Sequence, residues 1–174
     1  MTTNSVAAEN LPEVVWVGGA LDKYTGLLKQ FVGPNQHYFQ WFEYKALARW
    51  LEQHQHLPVL LIGHSYGAST AAAVVAAGHP VQQLITIDPV SWRKPDGWAV
   101  RQYATEWHNY LAGDAKLNFA NLVAKCGGQW QQWPAAHAHQ HKLLYADHAT
   151  VVAKALQEWR FNRHHTQAMG AAET

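Results

Sequence analysis

Cysteine is almost missing from this chain: Cys126 stands alone among 174 residues. No intrachain disulfide can form, so the fold must rest on an apolar core and does not depend on an oxidising compartment. Charge is also scarce, at 14% of residues, and it is balanced: 13 Lys and Arg against 12 Asp and Glu leave +1 with the histidines neutral. Without a run of either sign, the sequence lacks the electrostatic footprint of a nucleic-acid binder or of a protein held on an anionic membrane surface. No apolar stretch approaches the roughly 20 residues that span a bilayer. The first ten residues, Met1-Thr-Thr-Asn-Ser-Val-Ala-Ala-Glu-Asn10, have neither the basic nor the apolar region of a secretory signal. The expectation is a chain made in the cytoplasm with no Sec-type signal, no integral membrane segment and no nucleic-acid partner. Export by a signal-independent route stays open.

What is present is an apolar fraction of 48%, enough over this length for one substantial core and one domain. Twelve histidines and nine tryptophans are many for the size. The histidines would add positive charge as pH falls through about 6.5. No internal repeat, linker or low-complexity segment divides the chain. Residues 1–12 read as a flexible lead-in, 13–160 as the folded domain and 161–174 as a flexible tail.

Hydrophobic patterning predicts alternating strands and helices. Glu13 to Val17 is a β-branched run stopped by Gly18-Gly19-Ala20. Leu21, Tyr24, Leu27, Leu28 and Phe31 have helical spacing, weakened by Gly26. His37 to Phe42 is strand-like, and Glu43 to about Gln55 has Leu47, Trp50 and Leu51 on one helical face. Val81 to Ile87 is a strand running directly into Asp88-Pro89. Ser91 to Tyr103 reads as loop, Ala104 to Leu111 as strand, and Asn118 to Lys125 as a short helix. Ala138 to Ala146 is the expected last strand, and His148 to Arg160 a closing amphipathic helix. This alternation predicts a parallel sheet with helices on both faces.

One stretch organises the rest. Pro58-Val-Leu-Leu-Ile is a continuous apolar run that breaks into Gly63-His64-Ser65-Tyr66-Gly67, and an alanine-rich helical segment begins at once. Strand, sharp turn, helix is the context in which G-x-S-x-G acts as a nucleophile elbow. The serine sits at the apex of a strained turn, so the positions two before and two after it must lack bulk. The bland alternative is a glycine-punctuated turn with a surface serine.

With that pentapeptide in place, the chain resembles the α/β-hydrolase superfamily, and its small lipase- and esterase-like members in particular. The resemblance covers about residues 13–160. Val17-Gly18-Gly19-Ala20 is similar to the strand and loop that give one oxyanion-hole N–H in that family. Ile87-Asp88-Pro89 is similar to the strand after the elbow with an acid at its end. Tyr145-Ala146-Asp147-His148 resembles the last strand and histidine loop. Trp107-His108-Asn109 and Gly127-Gly128-Gln129-Trp130 are also similar to small bacterial lipase-like proteins. The resemblance implies a minimal α/β-hydrolase-like parallel sheet of about six strands, without the first antiparallel strands and without a full cap domain.

It also implies a mechanism. A serine hydroxyl is a poor nucleophile near neutrality and needs a base, which in turn needs an orienting acid. Ser65 is the expected nucleophile. The family order of nucleophile, acid and histidine leaves His108, His137, His139, His141, His148, His164 and His165 as bases, and His148 is favoured because it lies between a strand end and a helix start. For the acid, Asp88 is favoured and Asp114, after the next strand, is the alternative. Asp147 is expected to start the last helix instead. His64 is expected to be packed, shaping the elbow. Backbone N–H groups of Tyr66 and of Gly19 or Ala20 are the expected oxyanion donors. Trp92, Trp98 and Tyr103 are candidates to roof an open substrate pocket, against ordinary packing under a loop.

The leading reading is therefore a serine esterase acting on a small-molecule or lipid ester, with no cofactor and no metal. A thioesterase or acyltransferase on the same triad is the near alternative. A catalytically inactive hydrolase scaffold used for binding is the more distant one, and it expects acid and base not to converge on Ser65. A third reading gives His137, His139 and His141, alternating on one strand face, a weak metal site.

Overall fold

The computed structural model describes residues 11–114 and 118–172. The expected lead-in lies outside the described residues up to residue 10, as do residues 173–174 of the expected tail. Six apolar runs form strands: β1 (Glu13–Gly18), β2 (His37–Gln40), β3 (Val59–His64), β4 (Val81–Ile87), β5 (Ala104–Ala112) and β6 (Gln140–Leu144). They make one sheet in the order β2-β1-β3-β4-β5-β6, with every ladder parallel. The helices are α1 (Asp22–Thr25), α2 (Tyr44–Gln53), α3 (Tyr66–Ala76), α4 (Gly97–Tyr103), α5 (Phe119–Cys126) and α6 (Val151–Ala172). A parallel sheet cannot be closed by hairpins, so each connection crosses over one face and buries it.

Period-two alternation assigns the two faces. Val15, Val17, Leu61 and Leu84 pack with Leu47 and Leu51 of α2, with Ala71, Ala72, Val74 and Val75 of α3, and with Val100 of α4. Their neighbours Trp16, Leu60, Ile62, Ile85 and Ile87 point the other way, onto Leu28 and onto Val151, Val152, Ala155, Leu156 and Trp159 of α6. Each such side chain, once buried, contributes about 1.5–3 kcal/mol. The central strand β3 is buried at all its positions, which is why its sequence reads as an unbroken apolar run.

Several element boundaries differ from expectation. The helix expected over Leu21–Phe31 is two pieces, α1 and a 3-10 turn at Lys29–Phe31, because Gly26 takes φ +63° and ends the first. The loop expected over Ser91–Tyr103 contains α4. Asp96, read as part of a turn, is its N-cap: Oδ1 accepts from the N–H groups of Trp98 and Ala99. Strand β6 is shorter than Ala138–Ala146, so His137 and His139 precede it. Helix α6 runs on to Ala172, beyond Arg160. No helix among the described residues is long and apolar enough to cross a membrane.

Candidate active site

All parallel strands end on one edge, so the loops after β1, β2, β3, β4, β5 and β6 gather there. Ser65 stands at the turn from β3 to α3 with φ 57° and ψ −129°, a conformation that costs a non-glycine residue about 1–3 kcal/mol. The turn is held by its backbone: Ser65 N donates to Ile87 O at 3.0 Å, and Ser65 O accepts from Val90 N at 3.2 Å. The two glycines of the pentapeptide are there for close approach. A Cβ on Gly63 would lie 2.6 Å from Ala68 Cα, and one on Gly67 only 2.1 Å from Val17 O. The elbow therefore forms as the spacing predicts.

His148 comes to Ser65 from the far side of the chain. Its Nε2 lies 3.0 Å from Ser65 Oγ, and its Nδ1 lies 2.5 Å from Asp88 Oδ2. Asp88 follows β4 directly, is fully buried, and has φ 43°. Its other oxygen accepts from Ala112 N at 3.0 Å and from Gln129 Nε2 at 2.7 Å. Two donors and an imidazole thus compensate a buried carboxylate. With Nδ1 turned to Asp88, the ring presents Nε2 to the hydroxyl.

Asp114 does not share this place. Its backbone N–H donates to Ala146 O at 3.0 Å and its carbonyl accepts from Asn121 Nδ2 at 2.9 Å, while the position facing His148 Nδ1 is filled by Asp88. Asp147 starts the last helix as expected. Its Oδ1 accepts from Ala149 N and Thr150 N at 3.0 and 2.8 Å, and these donors, led by the Thr150 backbone, hold its carboxyl below the usual range.

The main chain of His148 is gripped at both ends. Its N–H donates to Asn121 Oδ1 at 2.9 Å, and its carbonyl accepts from His64 Nε2 at 2.9 Å. His64 is buried with its ring centroid 4.7 Å from that of His148. Burial, and then the neighbouring imidazole, pulls its pKa down to about 3, so it is neutral and carries its one proton on the nitrogen that donates. The packed reading of His64 holds, with a sharper content: it ties the elbow to the histidine loop.

The glycine loop after β1 passes beside the nucleophile. A Cβ on Gly19 would lie 2.8 Å from Ser65 Cβ and 3.4 Å from its Oγ. Ala20 follows at the turn into α1. Buried Asp22 braces this loop, accepting from Leu28 N at 2.5 Å and from the Tyr38 hydroxyl. Tyr66 opens α3, so its N–H has no carbonyl one turn earlier to bond.

The three expected roof residues separate. Trp92 is exposed in the loop after β4, next to Ser91, whose N–H donates to Gly128 O at 3.0 Å, so it stays at the carboxyl edge. Trp98 lies edge-on to His137, which precedes the first residue of β6, and Tyr103 immediately precedes β5 and lies beside Gly78 at the far end of α3. Tyr103 thus belongs to the amino edge, away from Ser65, while Trp98 lies in the first turn of α4 and packs on His137. The correction follows from α4, which carries the chain back across the sheet within residues read as loop.

In the histidine row, His139 Nδ1 accepts from Trp107 N at 3.0 Å, taking the place of a ladder partner at the edge of β5. His141 Nδ1 lies 3.1 Å from Asn109 Nδ2, in a buried chain that continues through Thr86 to the Trp107 indole. His139 and His141 thus each commit Nδ1 to a protein group, and among the described residues no three His, Cys, Asp or Glu side chains are grouped so as to hold a metal ion. A cavity of about 390 Å³ lies at the amino edge, lined by Leu60, Gln83, Glu106, His108, Gln140 and Trp159, at the opposite edge of the sheet from Ser65.

Gln129, Asn121 and Asp22 escaped sequence reasoning. For Gln129 the signal was Gly127-Gly128 stopping α5, which lets the chain turn back along the Asp88 loop and bridge Val90 to Gln129.

Comparison with known proteins gives three findings. No curated protein sequence matches. Crystal structures are also matched, two of them as follows. One is assigned to the alpha/beta superfamily of hydrolases, from Xanthomonas campestris pv. campestris, at 13% identity and TM-score 0.49, covering 84% of this chain and 96% of that one. The other is the esterase domain of a Rhodothermus marinus protein, at 16% identity and TM-score 0.49, covering 83% and 80%. A family model described as the alpha/beta hydrolase family matches residues 27–171. With most of its length under that match, an all-parallel sheet and a strained serine between β3 and α3, the chain belongs to the alpha/beta hydrolase family.

Proposed function

We propose that the protein is a serine hydrolase that cleaves a carboxylic ester, with Ser65 as nucleophile, His148 as general base and Asp88 as orienting acid. The observation that carries this is the continuous path from Ser65 Oγ to His148 Nε2 at 3.0 Å and from His148 Nδ1 to Asp88 Oδ2 at 2.5 Å. It is the convergence that the inactive-scaffold reading does not expect. In the first half-reaction Ser65 Oγ forms a bond to the acyl carbon while its proton passes to His148. Collapse breaks the bond to the alcohol oxygen, which leaves with that proton. Water then gives a proton to His148 and bonds to the acyl carbon; collapse breaks the bond to Ser65 Oγ, which takes that proton back from His148 as the acid leaves. Asp88 keeps the ring oriented and balances the imidazolium formed on the way. The N–H of Tyr66 and that of Gly19 or Ala20 receive the developing oxyanion, each donor worth about 2.7–4 kcal/mol of barrier.

Transfer of the acyl group to a thiol or amine, or release from a thioester, uses the same acyl-enzyme. The direct test is Ser65→Ala with p-nitrophenyl esters and a fluorophosphonate probe. Turnover and labelling should both vanish; labelling that persists in this variant sinks the assignment.

A further inference from the structure

We infer that the acyl group of the substrate is an apolar chain or aryl group, and that it lies on an aromatic ledge formed by Tyr66, Trp41 and Phe42. This rests on the ester-hydrolase reading above.

The chemistry sets the direction. The proton that His148 takes from Ser65 must reach the departing oxygen, so the alcohol side of the ester lies against His148 Nε2. The carbonyl oxygen faces the donors at Tyr66 and the glycine loop. The remaining substituent on the acyl carbon therefore points away from His148. Strand order fixes what it meets: the acid follows β4 on one side of β3, and β1 and then β2 lie on the other.

At that side the chain leaves β2 at Gln40, and Trp41 and Phe42 follow. Trp41 is pinned over α3, since Thr70 Oγ1 donates to its carbonyl at 2.6 Å. Its ring centroid lies 5.3 Å from that of Tyr66, the residue after the nucleophile, and 5.8 Å from that of Phe42 in an edge contact. Tyr66 is held in place from beyond, with its hydroxyl donating to Gly127 O at 3.3 Å. The rings thus run outward from Ser65 without a break. Yet Trp41 is 37% exposed and Phe42 65% exposed, so apolar area continuous with the nucleophile is left without a protein partner. Glu43, the adjacent carboxylate, is turned back onto the Gln40 N–H at 2.6 Å. An apolar strip of tilted and edge-on rings that begins at the residue after Ser65 suits a hydrophobic acyl group and offers nothing to a charged one.

The test compares kcat/KM for p-nitrophenyl acetate, butyrate and octanoate, and for acetate esters of alcohols of graded length, normalised to Ser65 titrated by a small fluorophosphonate. In the wild type, the octanoate-to-acetate ratio should be about tenfold or more in the acyl series. In the double variant Trp41→Ala, Phe42→Ala it should fall to about one to two. Leu11→Ser, which removes an even more exposed apolar side chain at the opposite edge, should keep the wild-type ratio. A flat wild-type acyl series, a gradient that survives the double variant, or one that follows the alcohol instead overturns the ledge. So does a double variant that changes only the sedimentation of the protein, which would make the strip a contact between copies. Hydrolysis that persists in Ser65→Ala removes the esterase reading itself, a failure distinct from these.

Discussion

Asp88 and His148 stand 60 positions apart in sequence, and the fold brings Asp88 Oδ2 to 2.5 Å from His148 Nδ1. A buried carboxylate so placed selects the tautomer and stabilises the imidazolium. Asp88→Asn should lower kcat by about 10⁴. Asp114→Asn should stay within about threefold of wild type, since Asp88 already fills the place facing the imidazole. Steady-state hydrolysis of one ester by the two variants checks this, and the reverse ranking would move the acid to Asp114.

Gln129 reaches Asp88 Oδ1 at 2.7 Å and acts through it. Gln129→Ala removes one hydrogen bond to a charged group, so kcat should fall about ten- to a hundredfold. KM should stay within about twofold, because no substrate contact is lost. A rise in KM with unchanged kcat would place Gln129 at the substrate instead.

Gly19→Ala puts a Cβ 2.8 Å from Ser65 Cβ, so the serine or the loop has to shift. Displacing one oxyanion donor by this route should cost about 10²–10³ in kcat. The thermal melt should remain cooperative, which separates a local shift from unfolding. Wild-type kcat in this variant would remove the glycine loop from the site.

Burial lowers the pKa of His64 to about 3 in the folded protein, from the ordinary 6.5 of a solvated imidazole. Between those pH values the unfolded chain binds a proton that the native state does not, so stability is present above about 6.5 and is lost as pH falls towards 3. The loss is on the order of a few kcal/mol. His108, His139 and His141 are lowered by burial as well and add to the same slope. Melting temperatures from pH 7 to pH 4 should fall, and His64→Gln should flatten the curve while lowering its pH 7 value. An unchanged slope in that variant would show that His64 is not the responsible group.

The elbow was legible because it is local. An apolar run, two glycines and an alanine-rich helix within one short stretch force a strand, a sharp turn and a helix whatever lies elsewhere. His148 and Asp88 were readable at one remove, since each sits at the end of a strand that patterning identifies. Gln129, Asn121 and the ring of Trp41 were not. Each acts across a contact between segments distant in sequence, and carboxamides and exposed aromatics have no pattern of their own. Tyr103 was misplaced for the complementary reason: Asp96 looks the same as a turn residue and as an N-cap until the helix behind it is seen.

By itself, then, the sequence determined the parallel sheet with its two buried faces and the strained turn at Ser65, because periodicity and glycine placement are properties of neighbouring residues. Only the tertiary structure decided that Asp88 rather than Asp114 faces His148, that His64 and Asn121 hold the main chain of His148, and that Trp41 packs against Tyr66, the residue after Ser65. Those relations depend on strand order and on where each crossover returns the chain to the sheet edge, and sequence spacing carries no distance information across such a gap.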